Sequence, residues 1–142
     1  MSLTLTIAQS IIADALATGQ QQSFKPLTVV VLDAGGHVIA AARQDGASNN
    51  RFEIAQGKAY GALALGMGSR AIMERAEQQA YFIAAATATL GGRLIPVPGG
   101  VLVRDDDGTI LGAVGISGDS SDNDEAAASS AIKAAGLTAQ VD

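Results

Sequence analysis

Three observations predict an α/β fold of the α+β type, with a mainly antiparallel sheet and helices packed on it. Two apolar runs, LTVVVLD and VLVRD, are each followed by a glycine-bearing turn and a second apolar run, the pattern of β-hairpins. Helical periodicities precede, separate and follow these hairpins. The resulting order, α, ββ, αα, ββ, α, lacks the alternating βαβ units that a parallel doubly wound sheet requires.

The elements follow in chain order. Leu5, Ile7, Ala8, Ile11, Ile12, Ala15 and Leu16 recur at helical spacing with Gln9, Ser10 and Asp14 opposite. A helix is expected over Leu5–Thr18, with Thr4 or Thr6 as cap and Gly19 as its end. Lys25 and Pro26 close a polar loop, and the β-branched run Leu27–Asp33 reads as a buried strand. Ala34-Gly35-Gly36 turns the chain and HVIAAAR returns, which places His37 at the mouth of the hairpin. Asp45-Gly46 is a second turn. Asn50 with Glu53 resembles a capping box for a helix from Arg51 to about Leu65.

Gly66 and Gly68 break that helix, and Ser69 is expected to cap a shorter one over Arg70–Gln79. Tyr81–Leu90 is alanine-rich, and its periodicity leaves helix and loop both open. Gly91-Gly92 and PVPGG, Pro96–Gly100, mark a stiff loop, with a short extra strand expected near Leu94–Val97. VLVRD and TILGAVGIS form the second hairpin around Asp107-Gly108. Gly112 and Gly115 inside its returning strand predict bulges or a close backbone approach. Asp122, Asn123, Asp124 and Glu125 open a last helix that runs to about Ala135 and stops at Gly136.

The bulk numbers set limits on function. A chain of 142 residues fits one domain over 1–142, a size that buries roughly 70% of the unfolded surface. Hydrophobic residues at 48% exclude a disordered chain. Alanine and glycine together fill 45 positions, so the core depends on close helix–sheet contact and on further burial in an oligomer. A net charge of -5 argues against nucleic acid and against an anionic membrane surface. No cysteine is present, which removes disulfides, thiolate metal sites and cysteine nucleophiles. The N-terminus lacks the basic and apolar regions of a signal peptide, so the default compartment is cytoplasmic. A secreted or periplasmic protein already relieved of its leader would read the same.

Several motifs weaken when their context is considered. GMGSRA matches a dinucleotide fingerprint in letters, but a helix and not a strand precedes it, so it reads as a helix break. Ser117 lacks a nucleophile-elbow frame, and a triad with His37 would rest on letter content alone. DDDGT fails calcium-loop spacing and reads as a solvated hairpin tip. Asp119, Asp122, Asp124 and Glu125 are expected to cap a helix rather than hold a cation. Among the cations, Arg43, Arg51, Lys58 and Arg104 stand out. Lys58 lies among Ala55, Ala59 and Ala62, where it either snorkels or meets a carboxylate of a ligand or partner. His37 is the only histidine. Taken alone it reads as an exposed turn residue, and any metal it held would have no second histidine.

The blocks DAGGHVIAAARQDGA, FEIAQGKAY, PVPGGVLV and DGTILGAVGISGDSSDNDEAA together resemble the GlcG/HbpS family, also seen as the C-terminal domain of PduO-type proteins. The resemblance spans nearly the whole chain. It implies a profilin-like fold, a central antiparallel sheet of about five strands with helices on both sides. It also implies homo-oligomers from dimers upward, and haem binding in some members. The histidine ligation of those members matches His37 in this chain, and charge makes Arg43 or Lys58 the expected partner for the propionates. Gln44 stands where the family often has methionine, and Ala126-Ala127-Ala128 where a cysteine often follows. Two functions remain open: a small-molecule or cofactor-binding accessory oligomer holding haem, or an enzyme on a small organic acid in glycolate- or diol-type catabolism. A third is an accessory oligomer without ligand. Whether the chain catalyses anything is left undecided.

Overall fold

In the computed structural model, which describes all 142 residues, the continuous apolar run becomes β1 (Thr28–Asp33), buried on both faces. A strand without polar alternation needs cover on two sides, and this one has it. It pairs antiparallel with β2 (Val38–Arg43) and with β4 (Ile110–Ser117). β3 (Gly100–Arg104) adds to β4, and β5 (Thr138–Gln140) to β3, giving a five-stranded sheet ordered β2-β1-β4-β3-β5. Every pairing is antiparallel, as the hairpin order predicts.

Alternate residues of each strand supply two cores. Val29, Val31, Val101, Val103, Val114 and Ile116 face α1 (Leu5–Gln21) and α5 (Ser121–Ala134). Val30, Leu32, Leu102 and Ala113 face α2 (Arg51–Leu65) through Ala55, Ala59 and Ala62. The alanine face of α2 brings its backbone close to the sheet. Gly115 is where this approach is tightest: a Cβ there would lie 1.9 Å from the Ala55 carbonyl oxygen. The close approach expected of the two glycines in this strand is therefore present, and Gly112 meets the Leu32 carbonyl in the same way. A third, smaller cluster of Ile72, Ile83 and Leu94 joins α3 (Ser69–Gln78) and α4 (Ala80–Thr89) to the loop before β3.

Four local expectations change. α1 runs past Gly19 to Gln21, because Gly19 is buried against Leu27 inside the helix. Asn50 makes no capping hydrogen bond with its side chain. Ser69 begins α3 rather than capping it; its hydroxyl is drawn instead to the Gly100 backbone. No strand forms over 94–97, since the Ile95 N–H donates to the Gly57 carbonyl and docks that loop on α2. The fifth strand comes from the C-terminal tail, where three residues following Gly136 and Leu137 are too short to stand out as a pattern. The segment left open at Tyr81–Leu90 is helix α4.

Candidate functional site

Lys58 is 2% exposed, and the carboxylate it meets is Asp124 of its own chain, 1% exposed. The Lys58 ammonium donates to Asp124 Oδ2 at 3.2 Å and to the Ile116 carbonyl at 2.9 Å. Asp124 Oδ1 accepts the Asp119 N–H at 3.0 Å. Burial lowers the Lys58 pKa and raises that of Asp124, and their mutual attraction opposes both shifts. The pair therefore joins the middle of α2 to the first turns of α5 across the end of β4. Beside it the Ser69 hydroxyl accepts the Gly100 N–H at 2.7 Å. Gly100 has no room for a Cβ, which would lie 2.2 Å from the Lys58 carbonyl oxygen. Gly99 and Gly100 of the PGG turn thus pack directly on Lys58.

The remaining acids of this turn are also engaged. Arg70 binds Glu125 and Asp122 through its guanidinium, and these hydrogen bonds raise its pKa. Asp119 accepts the Lys25 N–H at 2.8 Å, the Asn123 side-chain amide at 2.7 Å and the Ser120 N–H at 2.9 Å. The Lys25 bond first, then the other two, hold its pKa down to about 2 from the ordinary 3.8. A depressed carboxylate stabilises the fold above its ordinary pKa, and that contribution is lost as pH falls through the lowered value. The melting-temperature advantage of the wild type over Asp119→Asn is therefore expected to be full at pH 5 and to shrink between about pH 4 and 2. An advantage that is unchanged across that range would show that the three bonds do not act on the ionised form. No group of three or more His, Asp and Glu residues is placed to hold a metal ion.

His37 stands elsewhere, at the tip of the β1–β2 hairpin, with its side chain 82% exposed. The tip is built by Asp33, whose Oδ1 accepts the Gly35 N–H at 2.9 Å and the His37 N–H at 3.0 Å. Gly36 takes φ +83°, which glycine adopts freely. The His37 N–H bond is the main reason the Asp33 pKa is lowered. The same carboxylate lies 3.4 Å from His37 Nδ1, beside an imidazole otherwise open to solvent. Asp105 builds the tip of the second hairpin in the same manner, through the N–H groups of Asp107 and Thr109. Beside the first tip is a shallow groove lined by Ala34, Gly35, Gly36, Tyr60, Leu63 and Ala64. The Tyr60 ring packs on Gly36, and the Arg93 guanidinium sits 4.0 Å from its centroid.

The three residues expected to act together thus occupy three places. Arg43 ends β2, at the opposite end of that strand from His37, and its side chain is exposed. Lys58 is buried beneath the sheet. Only His37 adjoins, through Gly36, the groove that Tyr60 lines, with Arg93 stacked over that ring; sequence reasoning selected neither Tyr60 nor Arg93. Nothing in local spacing ties Tyr60 or Arg93 to His37, since the three come from α2, the α4–β3 loop and a hairpin.

The architecture is a single five-stranded antiparallel sheet between two helical layers, an α+β domain of the profilin-like class. The family model described as haem degrading protein HbpS-like matches residues 3–133, and the chain belongs to this HbpS-like family. The solved PduOC:heme complex is 26% identical over 96% of this chain and 97% of that one, with a TM-score of 0.86. Klebsiella pneumoniae protein ORFY is 26% identical over 94% and 90%, TM-score 0.85. HbpS itself is 25% identical over 94% and 89%, TM-score 0.78. No curated protein matches the chain. The likeness over whole chains agrees with the profilin-like architecture the sequence resemblance implied. No helix is long and apolar enough to cross a membrane.

Proposed function

We propose that this protein binds haem, with His37 as the axial ligand. The observation that carries the reading is the hairpin tip: an exposed imidazole, beside Asp33, at the edge of a groove floored by glycine backbone and one aromatic ring. The family description and the likeness to a haem complex support it.

The residues fit the group on one face. Gly35 and Gly36 line the groove and add no side chains of their own to it. Tyr60 lines the groove with its ring packed on Gly36 and topped by the Arg93 guanidinium, which would swing aside to admit a stacked haem. Arg93, at the exposed rim, takes the propionate role first given to Arg43 and Lys58, because Lys58 is occupied by Asp124. Bound haem would supply a Lewis-acidic iron for a His37 ring nitrogen, and with Asp33 beside Nδ1 the free Nε2 would be the atom to offer it. The groove is open on its other side, so a second copy of the chain is proposed to complete it. A homo-oligomer is also the natural cover for α4, an almost wholly apolar helix that leaves Tyr81 73% exposed.

A haemin titration of wild type beside His37→Ala, read by Soret absorbance, tests the ligand. Wild type is expected to saturate at one haemin per chain, and the variant to bind at least about tenfold more weakly without loss of folding. Light scattering on the same samples is expected to report an oligomer. Equal binding in both proteins would remove His37 from the site.

A further inference from the structure

Arg51 is unlike the other half-buried arginines. Arg70 faces two carboxylates, Arg75 lies over Phe82, and Arg104 bonds Gln140 and the Gly108 carbonyl. Arg51 has two neutral hydroxyls: Nε donates to Ser48 Oγ at 3.2 Å and Nη1 to Ser117 Oγ at 3.0 Å. No carboxylate lies within 4 Å of it, in a chain whose net charge is -5. These two bonds leave Nη2 and one hydrogen of Nη1 free, which is one side of a bidentate fork.

That fork opens on a groove lined by Lys25, Pro26, Gly46, Ala47, Ser48, Arg51 and Gly118. Its charged lining is wholly cationic, Lys25 and Arg51. The acid that follows Gly118 in the chain, Asp119, spends its oxygens on the N–H groups of Lys25 and Ser120 and on the Asn123 amide. Close backbone approaches hold the walls in place. A Cβ on Gly118 would lie 2.2 Å from the Pro26 carbonyl oxygen, and Gln44 clamps Leu27 by accepting its N–H at 2.9 Å.

A second unusual group lies nearby, next to the Ser117 that Arg51 binds. Thr28 Oγ1 is the one buried side-chain polar atom that makes no hydrogen bond within the chain, on a residue 1% exposed. Register sets Thr28 directly opposite Ser117 on one side and Arg43 on the other. Arg43, Thr28 and Ser117 thus form a row across β2, β1 and β4, on the face that α2 covers, and Arg51 at the start of α2 binds the last of them. A buried hydroxyl without a partner is costly, and this one lies one strand from the Ser117 hydroxyl that Arg51 binds.

We propose that this groove binds a small carboxylate, held by the free side of the Arg51 guanidinium with Lys25 at the rim and the Ser48 hydroxyl beside it. The site is separate from the hairpin tip of His37 and does not depend on haem. Its size and lining suit an acid of two to four carbons rather than a long chain. The Arg51 fork is rigid and planar, matching the two oxygens of a carboxylate.

Acetate, malonate and inorganic phosphate, titrated against the full chain at constant ionic strength with chloride as the balance, test this by thermal shift and by NMR shifts of the Gly46, Ser48 and Gly118 amides. Saturable stabilisation by malonate, with shifts confined to those amides, is expected in wild type and in His37→Ala alike. Arg51→Gln is expected to raise the dissociation constant about ten- to hundredfold, and Arg51→Lys nearly as much because the fork is lost. Since Arg51 also supports Ser117, Lys25→Gln on the exposed rim is the second variant, with a severalfold rise expected and the fold intact. The proposal is overturned if wild type shows no saturable binding, or if Arg51→Gln and Lys25→Gln bind malonate as wild type does. Phosphate binding more tightly than either acid overturns the assignment of ligand class. Retention of malonate binding in His37→Ala separates this site from the haem reading whatever becomes of that reading.

Discussion

Asp124→Ala is expected to destabilise the protein by about 3–5 kcal/mol, because it leaves the Lys58 ammonium buried with only the Ile116 carbonyl as acceptor. For a domain of this size that corresponds to a fall in melting temperature of roughly 10–15 °C. The cost belongs to the unpaired charge and not to the pair. Both pKa shifts run in the direction of neutrality, Lys58 down and Asp124 up, so each group alone is disfavoured in its charged form by burial. The double variant Lys58→Met with Asp124→Leu is therefore expected to recover most of the loss, since apolar replacements of a buried ion pair are often neutral or stabilising. Urea denaturation of wild type, Lys58→Met, Asp124→Leu and the double variant completes the cycle. If the double variant is as unstable as the sum of the singles, the two groups act independently, and the bridge between α2 and α5 is not what holds them.

Gly115→Ala is expected to cost about 3 kcal/mol or more, by forcing α2 away from β4. Its added Cβ would meet backbone, the Ala55 carbonyl oxygen, which cannot turn aside as a flexible side chain can. Lifting α2 would also draw Lys58 from Asp124 and Arg51 from Ser117, since both cations ride on that helix. Gly108→Ala provides the control. That glycine has φ +81° and nothing within 4 Å of a built Cβ, so only the backbone penalty of about 1 kcal/mol applies. Denaturation midpoints that place the two variants together would show that space at Gly115 does not set the helix–sheet distance.

Much of the architecture was legible in local pattern. The strand Leu27–Asp33 lacked polar alternation, and such a run implies burial on both faces. The turn glycines and aspartates located both hairpins, and the acidic start before Gly136 located the last helix. What failed was short or non-local. β5 has three residues and exists only because the edge of β3 is available to it. Ser69 has the composition of a helix cap, but the Gly100 backbone, 31 residues away, offered its hydroxyl a better partner.

The same division runs through the candidate sites. His37 was visible as the single histidine at a hairpin mouth, and its exposure follows from the turn chemistry of Asp33 and Gly36. Lys58 was visible as a cation on an alanine face, but its acid lay 66 positions onward among four candidates of similar local character. Arg51 showed no local sign of being unpaired, and Thr28 was one β-branched residue in an apolar run. The sequence by itself determined the order of elements, which segments must be buried and where the chain turns, because those depend on periodicity and backbone preference within a few residues. Which charges are paired, which remain free, and which hydroxyls find a partner were decided only when the sheet set Thr28 beside Ser117 and brought α2 across them, because electrostatic partnership depends on distance in space.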